Sequence, residues 1–141
     1  MPTIFSQLAE RPGSCVAVKN YSLADIPEGT AVLDDLVNVD PKNPAGIVVP
    51  TAAGAMKPVA GVADELILAG KMGKIRITGE KTCIAHGAIA MGDFVQPSST
   101  AGKEGQVKVL VGASGAQLGR ARTAAADGDP VVIEIVIAAS A

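Results

Sequence analysis

Apolar residues in this chain fall in short runs, three to seven positions long, interrupted by glycine, proline or small polar residues. Several runs alternate: residues 15–19 read CVAVK, 74–78 read KIRIT and 106–111 read QVKVLV. Period-two alternation marks a half-buried strand, because successive side chains leave a strand on opposite faces. Residues 30–33, 47–49, 59–62, 82–86 and 94–96 add short strands bounded by turn residues. Residues 131–137 are apolar apart from Glu134, which predicts a central strand covered on both faces by the core or by another subunit. Segment 63–68 has the composition of a helix, but only about two turns fit before Gly70, below the length of a stable isolated helix. Polar or small-residue stretches at 21–28, 40–44, 51–54, 97–105 and 112–115 read as connections, with 97–105 the exposed tip of the body. The pattern predicts an all-β fold: a small β-barrel or jelly-roll-like sandwich with an N-terminal arm and little helix.

One stretch is used twice. Residues 61–77 (GVADELILAGKMGKIRI) and 119–135 (GRARTAAADGDPVVIEI) superpose without a gap. Gly61, Ala63 and Gly70 fall on Gly119, Ala121 and Gly128, and Ile75 and Ile77 fall on Ile133 and Ile135. In both copies short residues lead to a glycine turn, and a β-branched strand follows. A smaller unit recurs as well: IPEGTAV at 26–32 compares with IAMGDFV at 89–95, and Gly128-Asp129-Pro130-Val131 echoes both. Recurrent entries of this kind place strand starts at similar corners of a barrel or sandwich. No reactive group is fixed inside the repeat, so its role is structural. We read 15–141 as a single β domain with a duplicated strand module, preceded by an arm at 1–14 that Arg11-Pro12-Gly13-Ser14 closes.

Composition narrows the class. At 141 residues the chain has the length of one domain, 48% hydrophobic, yet with two Phe, one Tyr and no Trp. Its core must therefore be built from Val, Ile, Leu and Ala. Net charge is −2, with Lys and Arg scattered; binding a phosphate backbone needs a clustered basic surface, so no nucleic-acid partner is expected. No run approaches ~18 uninterrupted apolar residues, and no charged-then-apolar leader opens the chain. Neither a membrane span nor a signal peptide is expected; a soluble protein made in a cytoplasm is.

Candidate chemistry is sparse. Cys15 and Cys83 are too few for a disulfide framework and sit in apolar runs, where a thiol acts as a small hydrophobe. Cys83 and His86 have a C-x-x-H spacing, but residues three apart on a strand point to opposite faces, and the further ligands that zinc requires are missing. Ser98, Ser99 and Ser114 lie in loops without a G-x-S-x-G elbow. Asp34-Asp35 and Asp127-Gly128-Asp129 are dense in carboxylates, but beside Gly and Pro such residues form turns. The glycine-rich run 112–119 lacks the Gly-Lys-Ser/Thr and the following helix that a phosphate loop needs. No catalytic set, metal site or cofactor is expected. Gly54-Ala55-Met56-Lys57-Pro58 resembles the Ala-Met-Lys hairpin of biotin-carrier domains, in which the lysine bears the cofactor; Pro58 and Gly54 depart from that pattern. A sugar- or host-surface-binding module would expose aromatic platforms, and three aromatic residues are available.

From about Ile47 to Ile135 the order of motifs is more informative. It runs Gly61-Val62-Ala63, Gly70, Ile75-Arg76-Ile77-Thr78-Gly79, then Ile89-Ala90-Met91-Gly92-Asp93-Phe94-Val95, closing with Leu118-Gly119-Arg120-Ala121 through Gly128-Asp129-Pro130-Val131. With its Gly/Ala/Val-rich, aromatic-poor composition, this resembles the decoration, or cement, proteins of tailed-bacteriophage capsids. The resemblance implies a non-enzymatic virion protein on the outer surface of the assembled capsid, clamping neighbouring major capsid protein subunits, and itself a homo-oligomer, dimer or trimer. Weak single contacts become strong when a symmetric oligomer engages several sites together. On that reading the arm and the exposed loop supply the contacts to shell or subunit: Pro2, Ile4, Phe5, Leu8 and Arg11 from the arm, and Lys103 from the loop.

Overall fold

A computed structural model describes residues 10–35, 46–50, 59–111 and 117–137. Predicted connections at 40–44, 51–54 and 112–115, and residues 1–9 of the arm, lie outside them. The described residues are all-β: β1 (Cys15–Asn20), β2 (Ala31–Asp34), β3 (Gly46–Val48), β4 (Val59–Ala63), β5 (Met72–Arg76), β6 (Glu80–Ile84), β7 (Phe94–Pro97), β8 (Val107–Val109), β9 (Gly119–Ala121) and β10 (Pro130–Ile135). Segment 63–68 forms no helix; β4 ends at Ala63 and the chain turns back into β5.

The strands make one design twice. In the first half, β1-β3-β2-β4-β5 closes into a barrel, with β5 antiparallel to β1 and β3 parallel to it. In the second half the sheet order is β6-β10-β9-β7-β8, and a parallel bridge from Ala85 to Val107 brings β8 back to β6. The cyclic order is therefore the same in both. Closure removes the unpaired edges that short strands would otherwise expose.

The repeat seen in the sequence is the last hairpin of each half, β4–β5 and β9–β10, and its register is conserved between copies. Val62 pairs with Arg76 and Ala63 with Ile75; Arg120 pairs with Glu134 and Ala121 with Ile133. The same holds outside the repeat. Ile26 bridges Ile67, and Ile89 bridges Ala125. Asn20 N–H donates to Lys71 O at 2.9 Å, and Ala85 N–H donates to Asp129 O at 2.9 Å. The duplication thus spans the two halves, not the hairpin alone.

Repeated glycines have two distinct causes. At Gly61 a Cβ would lie 2.4 Å from Arg76 O, and at Gly119 it would lie 2.0 Å from Glu134 O. In both places the partner strand's backbone crosses where a side chain would sit. Gly70 and Gly128 instead have open space around them and φ of 74° and 83°, the left-handed region that L-residues avoid.

The core is aliphatic, as the composition requires. Ile26, Ile47, Ile67, Ile75, Val18 and Val32 fill the first barrel, while Val95, Val107, Leu118, Val131 and Ile133 fill the second. Ala31, Leu33, Val59 and Val62 of the first half belong to the second half's cluster, so the core runs through the junction. Strand β10 lies between β6 and β9 with Val131, Val132 and Ile133 buried, as the apolar run predicted. Loop 97–105 departs from expectation. Ser98 and Gly105 are buried, and Gly105 O accepts from Ala31 N–H at 2.8 Å, so the ends of this loop are joints between halves and only its middle is exposed.

Candidate functional site

The densest polar cluster lies where the halves meet. Its hub is Lys81 on β6, whose side chain is 5% exposed. Lys81 Nζ is 2.6 Å from Glu28 Oε2, 3.6 Å from Asp64 Oδ1 and 3.9 Å from Glu10 Oε1. Arg76 Nη2 meets Asp64 Oδ1 at 2.8 Å, while its Nη1 donates to Glu80 O at 2.7 Å. Glu80, also buried, meets Arg122 Nη1 at 2.9 Å. The Asp64 and Glu80 contacts are ion pairs without aligned N–H donors, and Arg76 Nε has no hydrogen-bond partner among the described residues. Such a seam is held by Coulomb attraction against desolvation, which makes it costly to unbalance rather than strongly stabilising. It joins Glu28, Asp64 and Arg76 of the first barrel to Glu80, Lys81 and Arg122 of the second.

Residues 10–14 belong to this seam. Glu10 Oε2 accepts from Thr82 N–H at 2.6 Å, Arg11 N–H donates to Glu80 Oε1 at 3.0 Å, and Glu80 N–H donates to Arg11 O at 2.9 Å. A Cβ on Gly13 would lie 1.9 Å from Thr78 O, so this strap touches the 77–79 connection backbone to backbone. Of the expected contact residues, Pro2, Ile4, Phe5 and Leu8 lie outside the described residues. Arg11 is exposed and 3.9 Å from Glu80 Oε2. Lys103 is half-buried in its loop, far along the chain from the strap. Lys57, of the carrier-like motif, also lies outside the described residues.

The remaining reactive groups are engaged structurally. His86 Nδ1 is 2.8 Å from Ser98 Oγ, which also accepts from Thr100 N–H at 3.2 Å. Asp127 Oδ1 accepts from Gly87 N–H at 2.8 Å, which holds its carboxyl below the usual range, and Asp25 and Asp93 accept backbone N–H groups likewise. These aspartates are turn formers. Burial raises the Asp34 carboxyl; Asp35 is buried. Cys83 is fully buried, and burial, reinforced by Glu10, pushes its thiol up to about 12. Cys15 is exposed. Since the thiolate is the nucleophile, iodoacetamide at pH 8 is expected to add one group, at Cys15, to the native chain and two to the unfolded chain. Intact-mass spectrometry reads this directly, and rapid double labelling of folded protein would refute it. The linkage has a definite sign: above about pH 9 the unfolded state ionises Cys83 and the folded state does not, so this group lowers stability as pH rises toward 12.

Exposed apolar side chains occur on both halves, with Met91, Phe94, Val109, Val111 and Val136 on the second and a further group at the tip of the first barrel. Leu66 and Leu68 flank buried Ile67 in the β4–β5 turn and are 58% and 47% exposed. Leu23 stands fully exposed in the neighbouring 21–25 loop, which Asp25 ties to the turn through Ala69 N–H at 2.9 Å. Beside that loop, a groove of about 470 Å³ is lined by Tyr21, Leu23, Pro27, Val48 and Pro50. Lys19 Nζ sits 5.0 Å from the centroid of the Tyr21 ring, so one of the few aromatic faces is occupied. Sequence reasoning missed both the seam and the tip. Glu80 and Lys81 draw no reading from the sequence, and Leu66 and Leu68 enter it only as part of the helix-like segment 63–68.

No family model and no curated protein matches this sequence. Among solved structures, the chain is similar to the head fiber N base (gp8.5) of bacteriophage phi29, with a TM-score of 0.61 at 15% identity. The match covers 87% of this chain and 95% of that one. The fold is therefore shared across nearly the whole of both.

Proposed function

We propose that this chain is a structural protein of a phage virion, carried on the outside of the head and acting by attachment rather than by catalysis. The observation that carries the reading is the near end-to-end match to a head fiber base, a protein whose place on a virion its name records. The architecture suits the role. A closed barrel and a second five-stranded sheet that a single bridge draws round, joined by a three-residue connection at 77–79, a common core and a charged seam, make a stiff body that can transmit load between its contacts. In finer detail, the chain bridges neighbouring major capsid protein subunits on the assembled shell, with the 1–9 segment as one attachment and the chain itself oligomeric. Mildly acidic charge favours the outer surface over the DNA-facing one.

The test uses phage heads assembled without the protein. Purified chain should co-sediment with those heads and not with dissociated capsid subunits, and should raise the temperature at which the heads release DNA. Deleting residues 1–9 should weaken co-sedimentation at least tenfold while leaving the chain folded. Failure of the full-length chain to bind heads would sink the reading, and unchanged binding by the truncated chain would remove the 1–9 assignment.

A further inference from the structure

The duplication provides an internal comparison, because equivalent positions share a backbone and differ only in what has been placed on them. At the turn of the last hairpin, Leu66, Ile67 and Leu68 of the first barrel correspond to Ala124, Ala125 and Ala126 of the second. Lys71 corresponds to Asp129, both exposed, each with its backbone in the same hydrogen bond to the turn: Lys71 N–H to Leu68 O at 3.0 Å and Asp129 N–H to Ala126 O at 3.0 Å. The two tips have thus diverged in opposite directions. The first carries large apolar knobs, Leu66, Leu68 and Met72, beside the ammonium groups of Lys71 and Lys74. The second has a shallow hollow of about 580 Å³ lined by Ala88, Ala124, Ala125, Ala126 and Pro130, with Asp129 on its wall and Asp127 beside it.

Neither surface is covered by another of the described residues. The Lys71 ammonium and the Asp129 carboxylate have no hydrogen-bond or ion-pair partner among the described residues. A single exposed leucine is ordinary, but clustered apolar exposure rimmed by charge, as at Leu66, Leu68 and Met72 beside Lys71, marks an interaction site. Here the complement is present on the same molecule. We propose that the leucine–lysine tip of the first barrel docks onto the alanine-lined, aspartate-flanked hollow of the second barrel of another copy of this chain. Leu66 and Leu68 enter the hollow that alanine leaves open, and Lys71 meets Asp129. The contact joins two different surfaces, so every copy offers one of each; such heterologous contacts close into rings or extend as chains. This deepens the oligomeric part of the proposed function and does not depend on attachment to a head.

Sedimentation equilibrium of the full chain tests it without heads, so its failure is separable from failure of head binding. The native chain is expected to associate reversibly above the monomer mass. Lys71→Asp and Asp129→Lys should each weaken association roughly tenfold or more, the scale of a close interfacial charge pair. The double variant, which reverses the pair, should recover it. An equimolar mixture of the two single variants should also recover it in an open chain or an even-membered ring, where the variants can alternate and each junction joins Lys to Asp. Leu68→Ser is an uncharged probe of the same contact and should weaken it too. All these residues are exposed, and thermal midpoints within a few degrees of the parent show that the variants fold. A chain that stays monomeric at its highest soluble concentration overturns the proposal, and so does an assembly indifferent to both charge reversals.

Discussion

Replacing Lys81 with Met should cost about 3–5 kcal/mol of folding stability, the scale for removing one partner from a buried charge cluster. Methionine matches the length and apolar stem of lysine, so packing changes little. What changes is charge: Glu10, Glu28 and Asp64 lose the cation that lies within 3.9 Å of all three. For a chain of this size the melting temperature should fall by roughly 10 °C. Urea unfolding gives the free energy, with an unchanged slope showing that the same surface is exposed. The loss should be non-additive. Lys81→Met combined with Glu28→Gln should be less destabilised than Lys81→Met alone, because Glu28 is then no longer stranded, whereas Asp64 and Glu10 keep Arg76 at 2.8 and 3.6 Å. If Lys81→Met were as stable as the parent, the seam would not hold the halves together.

Gly119→Ala should destabilise by about 3 kcal/mol, at the upper end for forced overpacking, because the added Cβ would lie 2.0 Å from the Glu134 carbonyl oxygen. That oxygen is main chain of β10, which is paired on both sides by β6 and β9, and cannot swing aside as a side chain would. Gly61→Ala should cost at least as much, because its Cβ would lie 2.4 Å from Arg76 O and its φ of 157° adds a backbone cost that Gly119 lacks. Gly70→Ala is the informative contrast. Nothing crowds it, and its cost is the left-handed backbone alone, about 1 kcal/mol. Three urea titrations therefore rank two physical causes for one residue type. Equal costs at Gly119 and Gly70 would mean that the strands at Gly119 part easily, contrary to the close crossing described above.

The same two causes explain what could be read from the sequence. Gly61, Gly70, Gly119 and Gly128 answer to the backbone, which accepts no substitute, so the hairpin repeat survives as visible identities. Strands β1 to β3 and β6 to β8 repeat the architecture equally well but answer only to burial. Val18 and Cys83, or Ile47 and Val107, satisfy that demand interchangeably, so half of the duplication leaves almost no trace in letters. Unequal loops, 21–25 against 86–88, break the alignment further. Closure into two barrels was legible only as a general barrel or sandwich, because it depends on the two-residue parallel contact of β1 with β3 and its counterpart at Ala85 and Val107. The seam was hidden for a related reason. Alternation predicts which face a charge takes, but a neighbouring barrel decides whether that face meets water, and nothing near Glu80-Lys81 in the sequence announces Glu10 or Glu28. At the first tip, Leu66 and Leu68 look like core letters because only their neighbour Ile67 turns inward.

The strap of residues 10–14 has a consequence for synthesis. The first barrel, 15–77, can leave the ribosome with its strands complete, yet its Ala31, Leu33, Val59 and Val62 face a half that does not yet exist. Glu10 and Arg11, which precede the first barrel in the chain, must wait for Glu80 and Thr82 before their hydrogen bonds can form. The nascent chain therefore passes through a stage with one finished barrel, a bare apolar flank and an unfastened leading segment. Folding ends when the segment ahead of the first barrel is sewn to the middle of the chain, and a ribosome-stalled chain ending before residue 80 should remain protease-sensitive at residues 10–14.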